Sequence, residues 1–190
     1  MSEKKKDKVD IEFDEALKSL GKPALYFVRT LFEGQVYLTS CEQEILDQEL
    51  GLEKSEELRN KIWSAWAVEQ GKSYKKEFER QGVPADARLL GKMYRKWFED
   101  NWLVTYEVVE DTPDRHEARI THCMDEIFAK QLFGQKQQIF EYDHIYSASQ
   151  MEINAICKAA NLDKEFDCSH TGFLCTGDCC DKIVFERKKH

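Results

Sequence analysis

The spacing of apolar residues changes at residue 102, and no other feature of the chain limits its fold so strongly. Upstream, apolar side chains recur at helical intervals. From there, Trp102, Val104, Tyr106 and Val108 alternate with Leu103, Thr105 and Glu107, as in a strand with one apolar face. The run "EDTPD", residues 110–114, is turn chemistry. Beyond it His116, Ala118, Ile120 and His122 alternate with Glu117, Arg119 and Thr121, which predicts a returning strand and an antiparallel hairpin.

The helical half reads as a series of capped segments. Asp14–Leu20 is a short amphipathic piece stopped by Gly21 and Pro23. Ala24–Leu38 is richly apolar and is expected to be a buried helix, loosened at Gly34. Thr39 or Ser40 can cap Glu42–Leu50, whose acidic start suits the helix dipole and whose end is marked by Gly51. Ser55 is the expected cap of a long helix with an apolar stripe of Ile62, Trp63, Trp66, Tyr74 and Phe78, ended by Gly82 and Pro84. Ala85–Asp100 follows as another helix. After the hairpin, helices are expected over Met124–Phe133 and from about Ser147 to Asn161. Asp181–Arg187, apolar at Ile183 and Phe185, reads as a third strand beside the hairpin. The predicted architecture is therefore α+β: a polar tail over 1–13, a helical region over 14–100, and an α+β module over 101–190 that packs with it as one unit.

Composition narrows the function classes. A chain of 190 residues with 42% hydrophobic residues can bury a core of ordinary size. A formal charge of −8 argues against the basic face that phosphate binding needs, so no nucleic-acid partner is expected. No apolar run approaches the length of a bilayer span, and no secretory h-region is evident. These features predict a cytoplasmic protein with reduced thiols, in which disulfides are not expected.

The candidate chemistry is concentrated near the end of the sequence. "CSHTGFLCTGDCCDKIVFER", residues 168–187, holds four of the seven cysteines and one of the five histidines. Its pattern, Cys168-x-His170-x4-Cys175-x3-Cys179-Cys180, resembles a zinc set only at Cys175 and Cys179, at the loose end of ligand spacing. A second pair is missing from the stretch, so metal binding by Cys168, His170, Cys175 and Cys179 stands as one reading. Cys157 and Cys168 filling space as small hydrophobes stands as another. Gly177 in "TGD" can bring backbone close to a ligand. His122 shares a face with Ile120 if the alternation holds, with Cys123 beside it where the strand ends. "YDHIY" places Asp143 and His144 in a connector, either as a carboxylate–imidazole pair or as a helix cap.

The stretches "ARITHCMDEIFAK", "YDHIYSASQ" and "TGDCCDKIVFER" follow one another in an order that resembles the L-2-amino-thiazoline-4-carboxylic acid hydrolase-like family. The resemblance covers about Trp102 to Arg187. It implies a pocket lined by Cys123, Asp143 and Cys180. Attack on a C=N carbon would fall to Cys180 or Cys179 as nucleophile or anchor. Asp143 would act as base, with His122 or His144 tuning proton transfer. This chain has Phe140 where the family often carries a cysteine. It also has "DK" in place of "DF" after the last cysteine, and a turn one residue tighter. A weaker likeness to vinyl-reductase-type small-molecule-binding domains implies a non-catalytic module instead, binding a small molecule, a metal such as zinc or iron, or a tetrapyrrole such as haem. Both readings expect a small-molecule partner and no membrane, and the N-terminal helices offer a face for a homodimer.

Overall fold

The computed structural model describes residues 44–102, 104–123, 149–172 and 179–189, together with 30, 31, 34, 38, 41 and 42. The architecture is α+β. Two helices, α1 (Leu52–Arg80) and α2 (Ala87–Trp102), precede a hairpin of β1 (Val104–Asp111) and β2 (Arg115–Cys123). A third helix, α3 (149–160), leads into β3 (Phe166–Thr171) and β4 (Asp181–Arg187). The sheet is antiparallel, in the order β1-β2-β4-β3. The expected helices Asp14–Leu20 and Met124–Phe133 lie outside the described residues; within Ala24–Leu38, expected to be buried, the described Leu31 and Leu38 are helical but exposed.

Local chemistry explains the boundaries. α1 begins three residues before the expected cap, after Gly51, and Ser55 is buried within its first turn. It ends where Gly82 takes a positive φ of 75° and Val83 N–H reaches back to the carbonyl of Phe78 at 3.0 Å, closing the last turn. Asp86 caps α2, accepting from Arg88 N–H at 2.9 Å and from the Arg88 guanidinium at 2.5–3.1 Å. α2 runs through Trp102, so the helical period persists two residues past the predicted end, and the strand opens at Val104. α3 stops at Asn161, which adopts the left-handed conformation (φ 62°) while Leu162 N–H bonds the Cys157 carbonyl at 3.1 Å.

β4 matches the predicted third strand and lies against β2. β3 was not predicted. It forms the outer edge beyond β4, pairing Cys168 with Phe185 and His170 with Ile183. Its sequence, "FDCSHT", carries one aromatic and no aliphatic residue, so its strand character comes from the ladder with β4 rather than from propensity.

One face of the sheet carries Tyr106, Ala118, Ile120, Ile183, Phe185 and Phe166, all buried, and α2 packs against that side of β1, β2 and β4. Leu89, Leu90, Met93, Tyr94 and Trp97 of α2 are fully buried. Trp66 of α1 meets Trp97 edge-on at 4.7 Å between centroids. α1 also closes on α3. A Cβ on Gly71 would come 2.8 Å from the Ala159 Cβ, so glycine is what lets these two helices approach. The other sheet face is a charged lattice. Arg115 pairs with Glu110 (3.0 Å), Glu117 (2.5 Å) and Glu186 (3.2 Å), and Lys182 reaches Glu117 at 3.3 Å.

Two predictions follow from this packing. A Cβ on Gly91 would fall inside the van der Waals envelope of the His116 ring, so Gly91→Ala should destabilise the fold by about 1–3 kcal/mol, read from urea unfolding. The second concerns acid. Burial raises the Asp86 and Glu117 carboxyls, but their hydrogen bonds to Arg88, and to Arg115 and Lys182, outweigh it and hold both below the ordinary carboxylate range. Folding therefore favours their ionised forms. That contribution is complete above the unfolded carboxylate range, about pH 4, and is lost as pH falls through the lower folded values. Unfolding free energy should decline on acidification, less steeply in an Asp86→Asn/Glu117→Gln variant.

Candidate functional site

The sheet register gathers the candidate groups at one end. β2 closes at Cys123, opposite Val104 at the start of β1. β4 opens at Asp181, which faces Ile120 of β2, and Cys179 and Cys180 immediately precede it. β3 closes at Thr171, opposite Lys182. Cys123, Cys179, Cys180 and Asp181 thus share one end of the sheet, with His170 one residue inward on β3.

A bulge decides which way the β2 residues point. Tyr106 pairs with Ile120 and Thr105 with His122, leaving Thr121 without a counterpart. The extra residue inverts the alternation. His122 is carried to the outer side, where it is exposed and its Nδ1 lies 3.3 Å from Thr121 Oγ1. Cys123 turns to the side of Val104, and both are half-buried. The expectation that His122 shares the apolar face of Ile120 is therefore corrected: the bulge places Cys123 there instead.

Two buried histidines on the α2-facing side are each held between a phenol and a carboxylate. His170 meets the Tyr94 hydroxyl through Nδ1 at 3.0 Å and Asp181 Oδ2 through Nε2 at 3.2 Å. His116 meets the Tyr106 hydroxyl through Nε2 at 3.2 Å and Asp111 Oδ1 through Nδ1 at 2.9 Å. Burial raises both phenols well above their ordinary range, so each hydroxyl keeps its proton. Each ring thus has a phenol at one nitrogen and a carboxylate at the other, and both nitrogens are engaged. A second bulge, at Val109, brings Asp111 opposite His116.

The thiols divide into two groups. Cys179 and Cys180 lie beside each other with their Sγ atoms 3.7 Å apart, Cys179 exposed and Cys180 partly so. Burial, then the hydrogen bond and charge of Cys179, push the Cys180 thiol up, with Asp181 adding to the effect and Arg119 opposing it. Cys180 is thereby kept protonated, the reverse of the lowered thiolate that a nucleophile requires. Cys157 of α3 and Cys168 of β3 are joined by a disulfide. This corrects the expectation of fully reduced thiols and of Cys157 and Cys168 as space-filling side chains. α3 and β3 pack directly on each other, so two cysteines eleven positions apart in sequence meet in space.

Of the set Cys168, His170, Cys175 and Cys179, Cys168 is committed to the disulfide, and both His170 ring nitrogens have the partners named above. Among the described residues, no three His, Cys, Asp or Glu side chains converge to hold a metal ion. Cys175, Asp143, His144 and Gly177 lie outside the described residues. Sequence reading missed Tyr94 and Asp181. The position of Asp181, directly after the cysteine pair and first in a strand, was the available signal for it.

No family model matches the chain, and no curated protein matches it. Among solved structures it is similar to a trafficking protein particle complex subunit 3 from Naegleria fowleri covalently bound to palmitic acid, at 11% identity and a TM-score of 0.46, covering 85% of this chain and 98% of that one. It is also similar to the phenol-responsive sensory domain of the transcription activator PoxR with phenol, at 16% identity and a TM-score of 0.47, covering 80% and 73% respectively. At these scores nothing about function is carried across. Among the described residues, no helix is long and apolar enough to cross a membrane.

The disulfide gives a direct check. Thiol blocking under denaturing conditions and peptide mapping should recover Cys157 joined to Cys168. Reduction should lower unfolding free energy by about 2–4 kcal/mol, and a Cys157→Ser/Cys168→Ser variant should show the same loss without responding to reductant.

Proposed function

We propose that the chain is a small-molecule-binding module whose ligand is contacted at the end of the sheet where β2 closes and β4 opens. In this reading the thiols of Cys123, Cys179 and Cys180 act as contact groups, not as nucleophiles. One observation carries it: the paired thiols stand at that end, and Cys180 is pushed toward its protonated form by burial and by its neighbour. A protonated thiol is a soft, weakly polar surface suited to a planar or sulfur-containing ligand. It does not attack a C=N carbon unless a base removes its proton. His170, the imidazole nearest in the ladder, is already engaged by Tyr94 and Asp181. His122 points to the opposite side of the sheet from Cys123.

The hydrolase reading uses the same place. It rests on the resemblance of residues 102–187 and on Asp143 supplying the base for Cys180. The two readings separate on one ligand, L-2-amino-thiazoline-4-carboxylate, titrated calorimetrically into the full chain while product is followed chromatographically. Binding without product, weakened about tenfold or more by Cys180→Ala, supports the binding module. Turnover lost in Cys180→Ser and Asp143→Asn would replace it with the hydrolase. A parallel measurement addresses the thiol itself. Iodoacetamide labelling of Cys180 should stay slow at neutral pH and accelerate only above the ordinary thiol range, about pH 8.5.

A further inference from the structure

Cys179 and Cys180 are brought together where neighbouring residues ordinarily diverge. In an extended strand successive side chains leave on opposite faces, which would hold two adjacent thiols well apart. β4, however, opens only at Asp181, and the chain bends at Cys179. Their Sγ atoms lie 3.7 Å apart, within hydrogen-bonding reach of each other, so both side chains point to the same side. Cys179 is exposed and Cys180 half-buried. The fold thus presents a preformed dithiol that solvent can reach.

Spacing and protonation together narrow what such a pair can take. Two sulfurs bound to one tetrahedral centre by bonds of about 2.3 Å lie roughly 3.8 Å apart. A single atom can therefore bridge Cys179 and Cys180 with little movement of either side chain. A divalent metal ion such as zinc binds thiolates and must expel both thiol protons. The surroundings of Cys180 resist that, since burial and Cys179 push its thiol up. Trivalent arsenic makes no such demand. A monosubstituted arsenical, R–As=O, condenses with two thiols to give R–As(SR′)2 and water. Two As–S bonds form, the arsenic–oxygen bond breaks, and the departing oxygen carries away both thiol protons. Arsenic stays trivalent and no net proton is released. The oxygen is itself the base that takes the thiol protons, so the step needs no imidazole.

We propose that Cys179 and Cys180 form a chelating dithiol site for monosubstituted trivalent arsenicals. The proposal rests on the ligand-binding reading for the use of this end of the sheet, and it adds a ligand class held by covalent As–S bonds rather than by contact. Chelation also gives selectivity within the chain. Cys41, exposed on the helical segment before α1 and with no cysteine beside it in sequence, offers arsenic one exchangeable bond. The second sulfur of the Cys179–Cys180 pair closes a ring, which makes the second bonding event intramolecular.

The test uses the full chain, its Cys157–Cys168 bond intact, and phenylarsine oxide as the probe. Intact-mass measurement should show a single adduct, the mass of the probe less one water, with loss of two titratable thiols. Excess 2-mercaptoethanol should leave the adduct in place, and 2,3-dimercaptopropanol should remove it. Cys179→Ser and Cys180→Ser should each weaken binding by about a hundredfold or more, while Cys41→Ser should not change it. Below the ordinary thiol range, about pH 8.5, affinity should not vary with pH. Alkylation of the wild-type adduct after unfolding should label Cys41 and spare Cys179 and Cys180, a readout that holds should either serine variant fold poorly. Absence of an adduct, its release by the monothiol, its survival in both serine variants, or protection of a different pair of cysteines would overturn the proposal. If phenylarsine oxide fails to bind while L-2-amino-thiazoline-4-carboxylate binds, the chelation alone falls. If the arsenical binds and the thiazoline does not, chelation stands and the contact reading falls.

Discussion

Two imidazoles sealed between α2 and the sheet set the spacing that the rest of this molecule follows. Neither ring can enter an apolar layer without partners for both nitrogens, because an unpaired buried polar group costs several times what a satisfied one contributes. The chain meets that demand twice in the same way, with a buried phenol on one side and a carboxylate on the other. Each arrangement then ties separate elements together. Tyr94, His170 and Asp181 connect α2, β3 and β4. Tyr106, His116 and Asp111 cross-link the two arms of the hairpin. Gly91 belongs to the same constraint, since any side chain there would lift α2 off the His116 ring.

The outline of this fold was readable in advance because it depends on periodicity. The switch at residue 102 marks the passage from helix to hairpin within two residues, and Ile183 and Phe185 mark β4 by their alternation. What could not be read depends on contacts between distant residues. The bulges at Thr121 and Val109 leave no trace in a pattern of alternating residues, yet one of them reverses the directions of His122 and Cys123. β3 lacks aliphatic residues and exists because β4 offers it a ladder. The bond between Cys157 and Cys168 requires knowing that α3 folds back on β3, and the turn at Asn161 that allows it is a single left-handed residue.

The candidate site shows the same division. The stretch from Cys168 to Asp181 stands out by residue type alone, and the end of the sheet to which Cys123, Cys179 and Cys180 belong follows from strand order. The roles inside the stretch do not. Cys168 and His170 sit two positions apart and look alike as soft ligands, but one is held by Cys157 and the other by Tyr94 and Asp181. Residue type suggested reactivity for Cys180, whereas its surroundings favour the protonated thiol. Chemical competence here is a property of neighbours supplied by other parts of the chain.

Among the described residues β3 is an outermost strand, and the backbone of such a strand ordinarily invites another strand to add to it. Gln150 of α3 intervenes. Its side-chain amide donates to the Cys168 carbonyl at 2.9 Å and accepts from the His170 N–H at 3.3 Å, imitating with one side chain the pair of bonds an incoming strand would make. The sheet is thereby closed to growth on that margin at the very residues next to the disulfide. A fifth strand, whether from a second molecule or from an aggregating segment, would first have to displace a glutamine held in place by its own helix.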